Sequence, residues 1–149
     1  MADAKVFVDT NVFLCLHDRR DAAKRSTAGA WLTALAEQQA ACINLQVLNE
    51  MSHVLLRRKW FDTPDQVFSV IDSLAELGDS PIGWTEIGGA RRLHSSTGYS
   101  WWDCLLLASA VQLDCTHFLS EDLQDGHQIA GLTIVDPFAH TPQQILASL

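Results

Sequence analysis

No apolar run in these 149 residues approaches the roughly 20 that span a bilayer. A membrane-spanning helix is therefore not expected, and Met1-Ala2-Asp3-Ala4-Lys5 runs straight into a strand-like segment without a signal-peptide pattern, which points to the cytosol. Cysteine is sparse. Cys15, Cys42, Cys104 and Cys115 lie far apart with no C-x-x-C pair, each among apolar neighbours, so reduced and buried thiols are expected in place of disulfides or a zinc site. Basic residues are outnumbered, 10 Lys and Arg against 18 Asp and Glu, and a net charge of −8 argues against non-specific binding to a phosphate backbone. The few cations come in groups, Arg19-Arg20, Lys24-Arg25, Arg57-Arg58-Lys59 and Arg91-Arg92; these read as solvated helix faces that permit a phosphate-binding rim without demonstrating one. Repeats, low-complexity tracts and linkers are also missing. What remains is a chain 48% hydrophobic, enough for one compact domain over residues 1–149.

Strand and helix signals alternate along it. Lys5 to Asp9 reads as a short buried strand, β-branched and aromatic with little period-2 polarity. An alanine-rich helix is predicted from about Asp21 to Gln39, then a short strand at Ala41–Asn44. From Gln46 to Trp60, Val47, Leu48, Met51, Val54 and Leu55 recur at helix spacing. Thr63-Pro64 fits an N-cap with proline at the first helical position, starting a helix to Leu77. Ile82–Trp84 is a strand or a linker, and Thr85 caps a helix to about Ser96. Ser100 to Leu113 is a helix apolar nearly all round, His117–Ser120 and Leu132–Val135 are strands like the first, and a weak helix closes the chain from Thr141. Strands apolar on both faces and joined through helices imply an α/β fold with a central, mostly parallel sheet flanked by helices.

Within this pattern several carboxylates keep unusual company. In such sheets ligands bind beyond the carboxyl ends of the strands, and Asp9 ends the first strand. Glu50 sits at the edge of the stripe made by Val47, Met51 and Val54. Asp103 precedes Leu106, Leu107, Ala110 and Val111 at i+3, i+4, i+7 and i+8 and so shares their stripe; Asp122 follows the strand ending at Ser120. Each has a plain structural role open to it: Asp9 could accept N–H groups at a helix start, Asp103 could favour the positive end of its helix, and Asp122 could cap a turn. Their joint occurrence argues for more. Two unit charges about 4 Å apart repel by about 1 kcal/mol in water and about 4 kcal/mol at an effective dielectric of 20, so a cluster needs a cation. Oxygen ligands without His or Cys at metal spacing suggest Mg²⁺ or Mn²⁺ over zinc.

The segments "VFVDTNVF", "LNEMSHVLLRR", "GYSWWDCLLLASA" and "FLSEDLQDG", with a closing "DPF", resemble the PIN domain, in particular the toxin ribonucleases of the VapC type found in bacterial toxin–antitoxin pairs. The resemblance covers about Lys5 to Phe138, leaving a short C-terminal helix or tail. It implies a PIN-like domain acting as a divalent-metal-dependent endoribonuclease on single-stranded or loop RNA, a small cognate antitoxin as partner, and a homodimer. The family's acidic site maps onto Asp9, Glu50, Asp103 and Asp122 as catalytic and metal-binding residues, with Glu121 as the alternative fourth acid. Thr10, Asn11 and Ser120 would orient substrate or water, and Arg57, Arg58, Arg91 and Arg92 are candidates for phosphate contact. Two departures stand out: Cys104 follows the third acid where a small residue is usual, and Asp136 replaces the asparagine common before Pro137-Phe138.

Two other classes compete. A haloacid-dehalogenase-type phosphatase also starts from an aspartate after the first strand, but it needs a second carboxylate two residues on, where this chain has Asn11. A non-catalytic PIN-like module that binds RNA or protein would have little reason to keep four acids.

Overall fold

The computed structural model describes residues 4–146. The expected leaderless start at Met1 and the last residues of the 1–149 domain span lie outside the described residues. Five strands form one sheet in the order β2-β1-β3-β5-β4: β1 Val6–Val8, β2 Ala41–Cys42, β3 His117–Leu119, β4 Gln128–Ile129 and β5 Leu132–Val135. β1 is parallel to both β2 and β3, and β3 is parallel to β5. β4 alone is antiparallel, paired with β5. All three β1 residues are buried, as expected of a strand covered on both faces. Phe7 and Phe118, register partners on adjacent strands, stack with ring centroids 5.4 Å apart.

Seven helices of the described residues flank the sheet: α1 Thr10–His17, α2 Ala22–Glu37, α3 Leu45–Arg58, α4 Pro64–Leu74, α5 Trp84–Thr97, α6 Trp101–Gln112 and α7 Pro142–Leu146. Their starts follow the capping residues. Asp21 accepts from the Lys24 amide, Asn44 from Val47 at 3.2 Å, and Thr63 and Gln66 make a reciprocal box around Pro64. After α4 a 3₁₀ turn, Ala75–Leu77, ends at Gly78. There φ is +144° and an added Cβ would lie 2.3 Å from the Ile43 carbonyl oxygen, so only glycine lets this turn lie against the end of β2. The main core runs through Phe7, Phe13, Trp31, Ile43, Met51, Leu106, Phe118 and Ile134; a second, smaller cluster of Ala90, Cys104, Leu105 and Ala108 joins α5 to α6. All four cysteines are free and buried, as expected. No helix among the described residues is long and apolar enough to cross a membrane.

Three elements differ from the sequence expectation. Helix α1 was raised only as a capping option for Asp9 and not among the expected elements, because "TNVFLCLH" is too uniformly apolar and short to show a 3.6-residue contrast. Strand β4 was also missed, being two residues long and defined by its hairpin turn at Ala130 and Gly131, whose φ values of 49° and 83° suit a type I′ turn. Of the expected strand or linker Ile82–Trp84, Ile82 and Gly83 form a linker, and α5 begins at Trp84 with Gly83 as its N-cap, two residues before the expected cap Thr85.

Candidate active site

Asp9 is where β1 becomes α1. It is the N-cap of α1, in extended backbone conformation, and its Oδ1 accepts the Thr10 amide at 2.7 Å. Its Oδ2 accepts from the Ser120 hydroxyl at 2.8 Å and the Asn11 amide at 3.3 Å. Ser120, fully buried, stands at the end of β3, the strand next to β1; the Asp9 amide donates to the Leu119 carbonyl at 3.0 Å, locking the two strand ends together. The plain role imagined for Asp9 is thus real. It does not explain the burial of the carboxylate, which is only 4% exposed.

The other acids arrive from three more elements. Glu50, halfway along α3, accepts the Thr10 hydroxyl at 2.7 Å and the Gln46 amide at 3.3 Å. Asp122, after β3, accepts the Asn11 amide at 2.9 Å, and its own amide donates to Ser120 Oγ at 3.3 Å. Asn11 Nδ2 also reaches Ser120 Oγ at 3.1 Å, so one amide group joins the ends of β1 and β3 to Asp122. Asp103 lies in the first turn of α6, where Ser100 caps the helix and its hydroxyl donates to Asp103 Oδ2 at 2.8 Å. Glu121 turns outward to an ion pair with Lys24 at 2.7 Å. Of the two candidates for the fourth acid, only Asp122 has a hydrogen bond to the Asp9–Asn11–Ser120 group.

Electrostatics separates Asp9 and Asp103 from ordinary acids. The Asp9 carboxyl is pushed up to about 7, chiefly by burial and further by the charges of Asp103 and Glu50, against the opposing pull of the Ser120 and Thr10 hydrogen bonds. Asp103 is also raised, first by desolvation and then by Asp122, against the pull of Ser100. Every hydrogen-bond donor to Asp9, Glu50, Asp103 and Asp122 is a neutral amide or hydroxyl, and none of the four acids has a salt-bridge partner among the described residues.

As the side chains stand, no three His, Cys, Asp or Glu residues among those described converge tightly enough to hold a metal ion. The donor chemistry nevertheless fits a hard divalent cation. The ligands available are oxygens, the carboxylates raise one another's proton affinity without a cation to offset them, and Asn11 Oδ1 is buried beside them with no hydrogen-bond partner.

The profile of the PIN domain matches residues 6–127, which takes in Asp9, Glu50, Asp103 and Asp122. The chain belongs to the PIN domain family. No curated protein matches it at a significant level. Among solved structures, it is similar to a toxin–antitoxin complex from Klebsiella pneumoniae (18% identity, TM-score 0.61, covering 90% of this chain and 98% of that one). It is similar also to VapBC2 from Rickettsia felis bound to a promoter DNA fragment (15%, TM-score 0.61, 87% and 96%). A third is Mycobacterium tuberculosis VapC20, described as a sarcin-ricin loop cleaving toxin (20%, TM-score 0.55, 76% and 87%). At these identities the likeness is one of fold.

The PIN scaffold treats the four candidate arginines differently. Arg57 follows Glu50 and His53 along one face of α3. Arg58 lies over the Trp60 ring and Arg91 over Trp84. Arg92 lines a cavity with Gln112, Ile129 and Ala130, at the amino ends of the parallel strands and away from the carboxylates. The sequence reading missed Ser100, although the Ser-x-x-Asp spacing of a helix N-terminus signals it. Gln46, which donates to Glu50, is signalled only by its i,i+4 spacing on α3, and Lys24, which pairs with Glu121, carries no local signal.

Proposed function

We propose that this PIN-domain chain is a divalent-metal-dependent endoribonuclease, the toxin of a VapC-type pair, cleaving single-stranded or loop RNA and held in check by a small antitoxin. The observation that carries the reading is Asp9: a carboxylate buried at a strand end, facing other acids, with only neutral donors around it. The toxin–antitoxin complexes that share the fold, and the sarcin-ricin loop cleavage ascribed to VapC20, support it.

Asp9 and Asp103 would hold Mg²⁺ or Mn²⁺, with Glu50 and Asp122 completing the set directly or through water. When bound, such an ion supplies Lewis-acid polarisation of the phosphate and a nucleophilic water near neutral pH. The chain's own residues position these groups. Ser120 and the Thr10 amide fix both oxygens of Asp9, and the Thr10 hydroxyl fixes Glu50. Asn11 holds Asp122 toward Asp9, leaving its buried carbonyl oxygen for substrate or water. Arg57 is the arginine best placed for phosphate.

Purified protein should cleave RNA with Mg²⁺ or Mn²⁺ and lose that activity in excess EDTA; equal cleavage in EDTA would overturn the reading. For the partner, growth arrest on expression should be relieved by a small adjacent gene, and light scattering should give a homodimer. A non-catalytic RNA- or protein-binding module is the second reading, favoured because no three acids among the described residues converge closely enough to hold a metal ion. In that case Mn²⁺ should bind weakly or not at all.

A further inference from the structure

Beside the carboxylates a groove of about 510 Å³ opens between α3 and the start of α6, within the roughly 300–1,000 Å³ typical of small-ligand sites. Its α3 wall carries Gln46, Asn49, Glu50 and His53, whose spacings of three, four and seven residues put them on one helix face, with Val54 behind. Opposite stands Trp102, its side chain 58% exposed. Thr10 and Glu50 line the groove and also belong to the acidic site, and Trp102 immediately precedes Asp103. Groove and site are therefore continuous.

We propose that this groove binds an unpaired nucleobase next to the scissile phosphate, with Trp102 as its stacking platform and Asn49 and Gln46 reading its edge. The proposal rests on the ribonuclease reading above and goes beyond it, by naming a base-selective subsite. Three observations favour a base over an apolar segment of a partner protein. The groove's surface is mostly apolar, which suits the face of a base, but its α3 wall also carries the amide of Asn49, which a wholly apolar anchor would leave unmatched. An exposed indole lining the same groove as amide side chains is the combination by which unpaired bases are held, since every base presents a π-face and its edge pairs with Asn or Gln. Arg57 continues the same α3 face one turn past His53, is exposed, and has no ion-pair partner among the described residues, so it is available to the adjoining phosphate.

Trp84 supplies the control. It is 76% exposed, but it begins α5, which runs antiparallel to α6 through the short turn at Gly98–Ser100. It thus lies at the end of the helix pair remote from Asp103. Binding of short fluorescein-labelled single-stranded RNAs to the full chain is measured by anisotropy in the cleavage-silent Asp9→Asn background without metal. Adding Trp102→Ala should weaken binding about tenfold or more, Trp102→Phe should bind within about threefold of the parent, and Trp84→Ala should leave binding unchanged. In active protein Asn49→Ala should shift the bases found at the cleavage site. RNA affinity unaffected by Trp102→Ala, or lowered equally by Trp84→Ala, would overturn the proposal. So would loss of affinity for a co-purifying antitoxin with RNA affinity intact, which would make the groove a protein-docking surface. These outcomes are separable from those for the ribonuclease reading: if the wild-type chain never cleaves RNA, that reading fails while the binding series still decides the role of Trp102.

Discussion

Two sets of acids on this molecule differ, and the difference lies in what stands next to them. On the outer surface Asp18 accepts two hydrogen bonds from the Arg20 guanidinium, which hold its carboxyl at about 2, and Glu121 pairs with Lys24 at 2.7 Å. Asp125 is somewhat desolvated, yet the Asp136 amide and His140 bring it below the ordinary range. At the carboxyl ends of β1 and β3 the opposite holds: Asp9 is raised to about 7 and Asp103 is raised too, each by burial and by another acid. The contrast runs between neighbours in sequence, since Glu121 takes the cation and Asp122 turns to the neutral amide of Asn11. Asp18, Glu121 and Asp125 each have a basic side chain beside them, whereas the Asp9 group has none among the described residues. The missing charge is the one a divalent ion would bring.

The strongest way to break the comparison is at its centre. Asp9→Asn should reduce RNA cleavage by about a thousandfold or more, the scale of losing a preorganised electrostatic contact, in a single-turnover assay with Mg²⁺. Comparable activity in the variant would place Asp9 among the merely structural caps.

Next in size is a pH effect on the metal-free protein. The Asp9 carboxyl titrates near 7 in the fold against its ordinary 3.8, so between those values the folded state holds a proton that the unfolded chain releases. Stability should be undiminished below about pH 4 and should fall as pH rises to about 7, by up to about 4 kcal/mol. Denaturant melts in EDTA from pH 4 to 8 measure this, and Asp9→Asn should flatten the decline. Asp18, with its lowered value, gives the opposite sign: its contribution is present above its unfolded value and is lost as pH falls towards 2.

Asp103→Asn should raise metal-free stability by roughly 1 kcal/mol at pH 8, because it relieves repulsion from Asp9 and Asp122. If the residue served only the N-terminus of α6, the change would cost up to about 1 kcal/mol, and the thermal melt would move down. The smallest effect belongs to the rim. Glu121→Gln removes an exposed ion pair and should alter stability by less than about 1 kcal/mol with cleavage near wild type, whereas Asp122→Asn should impair cleavage strongly. Reversal of that pair would make Glu121 the fourth acid.

The residues also show which parts of this arrangement could be read without coordinates. Strands β1, β3 and β5 were legible because burial on both faces leaves an unbroken apolar run, and α3 because its stripe repeats at helix spacing. Asp9 stood out because a charge ending such a run is unusual, although the helix-capping role also open to it is real and only its burial beside other acids argues for more. Helix α1 was hidden by its own hydrophobicity, and β4 by its length. The choice between Glu121 and Asp122 depended on Lys24, 97 residues away, and the continuity of Trp102 with Glu50 depended on α3 meeting α6. Contacts of that range leave no mark in local pattern. For the same reason four similar-looking arginines were offered for phosphate contact, though Arg92 lies at the other end of the strands from the acids.

The most direct test of the central claim, that the acids around Asp9 are kept for a divalent ion, is the thermal melt of the wild-type chain at pH 8 with and without Mn²⁺, alongside Asp9→Asn. Wild type should gain about 2.7 kcal/mol at a hundredfold excess of Mn²⁺ over its dissociation constant, and the variant should gain far less. A wild-type melt that ignores Mn²⁺, or a variant that responds to it equally, would contradict the account.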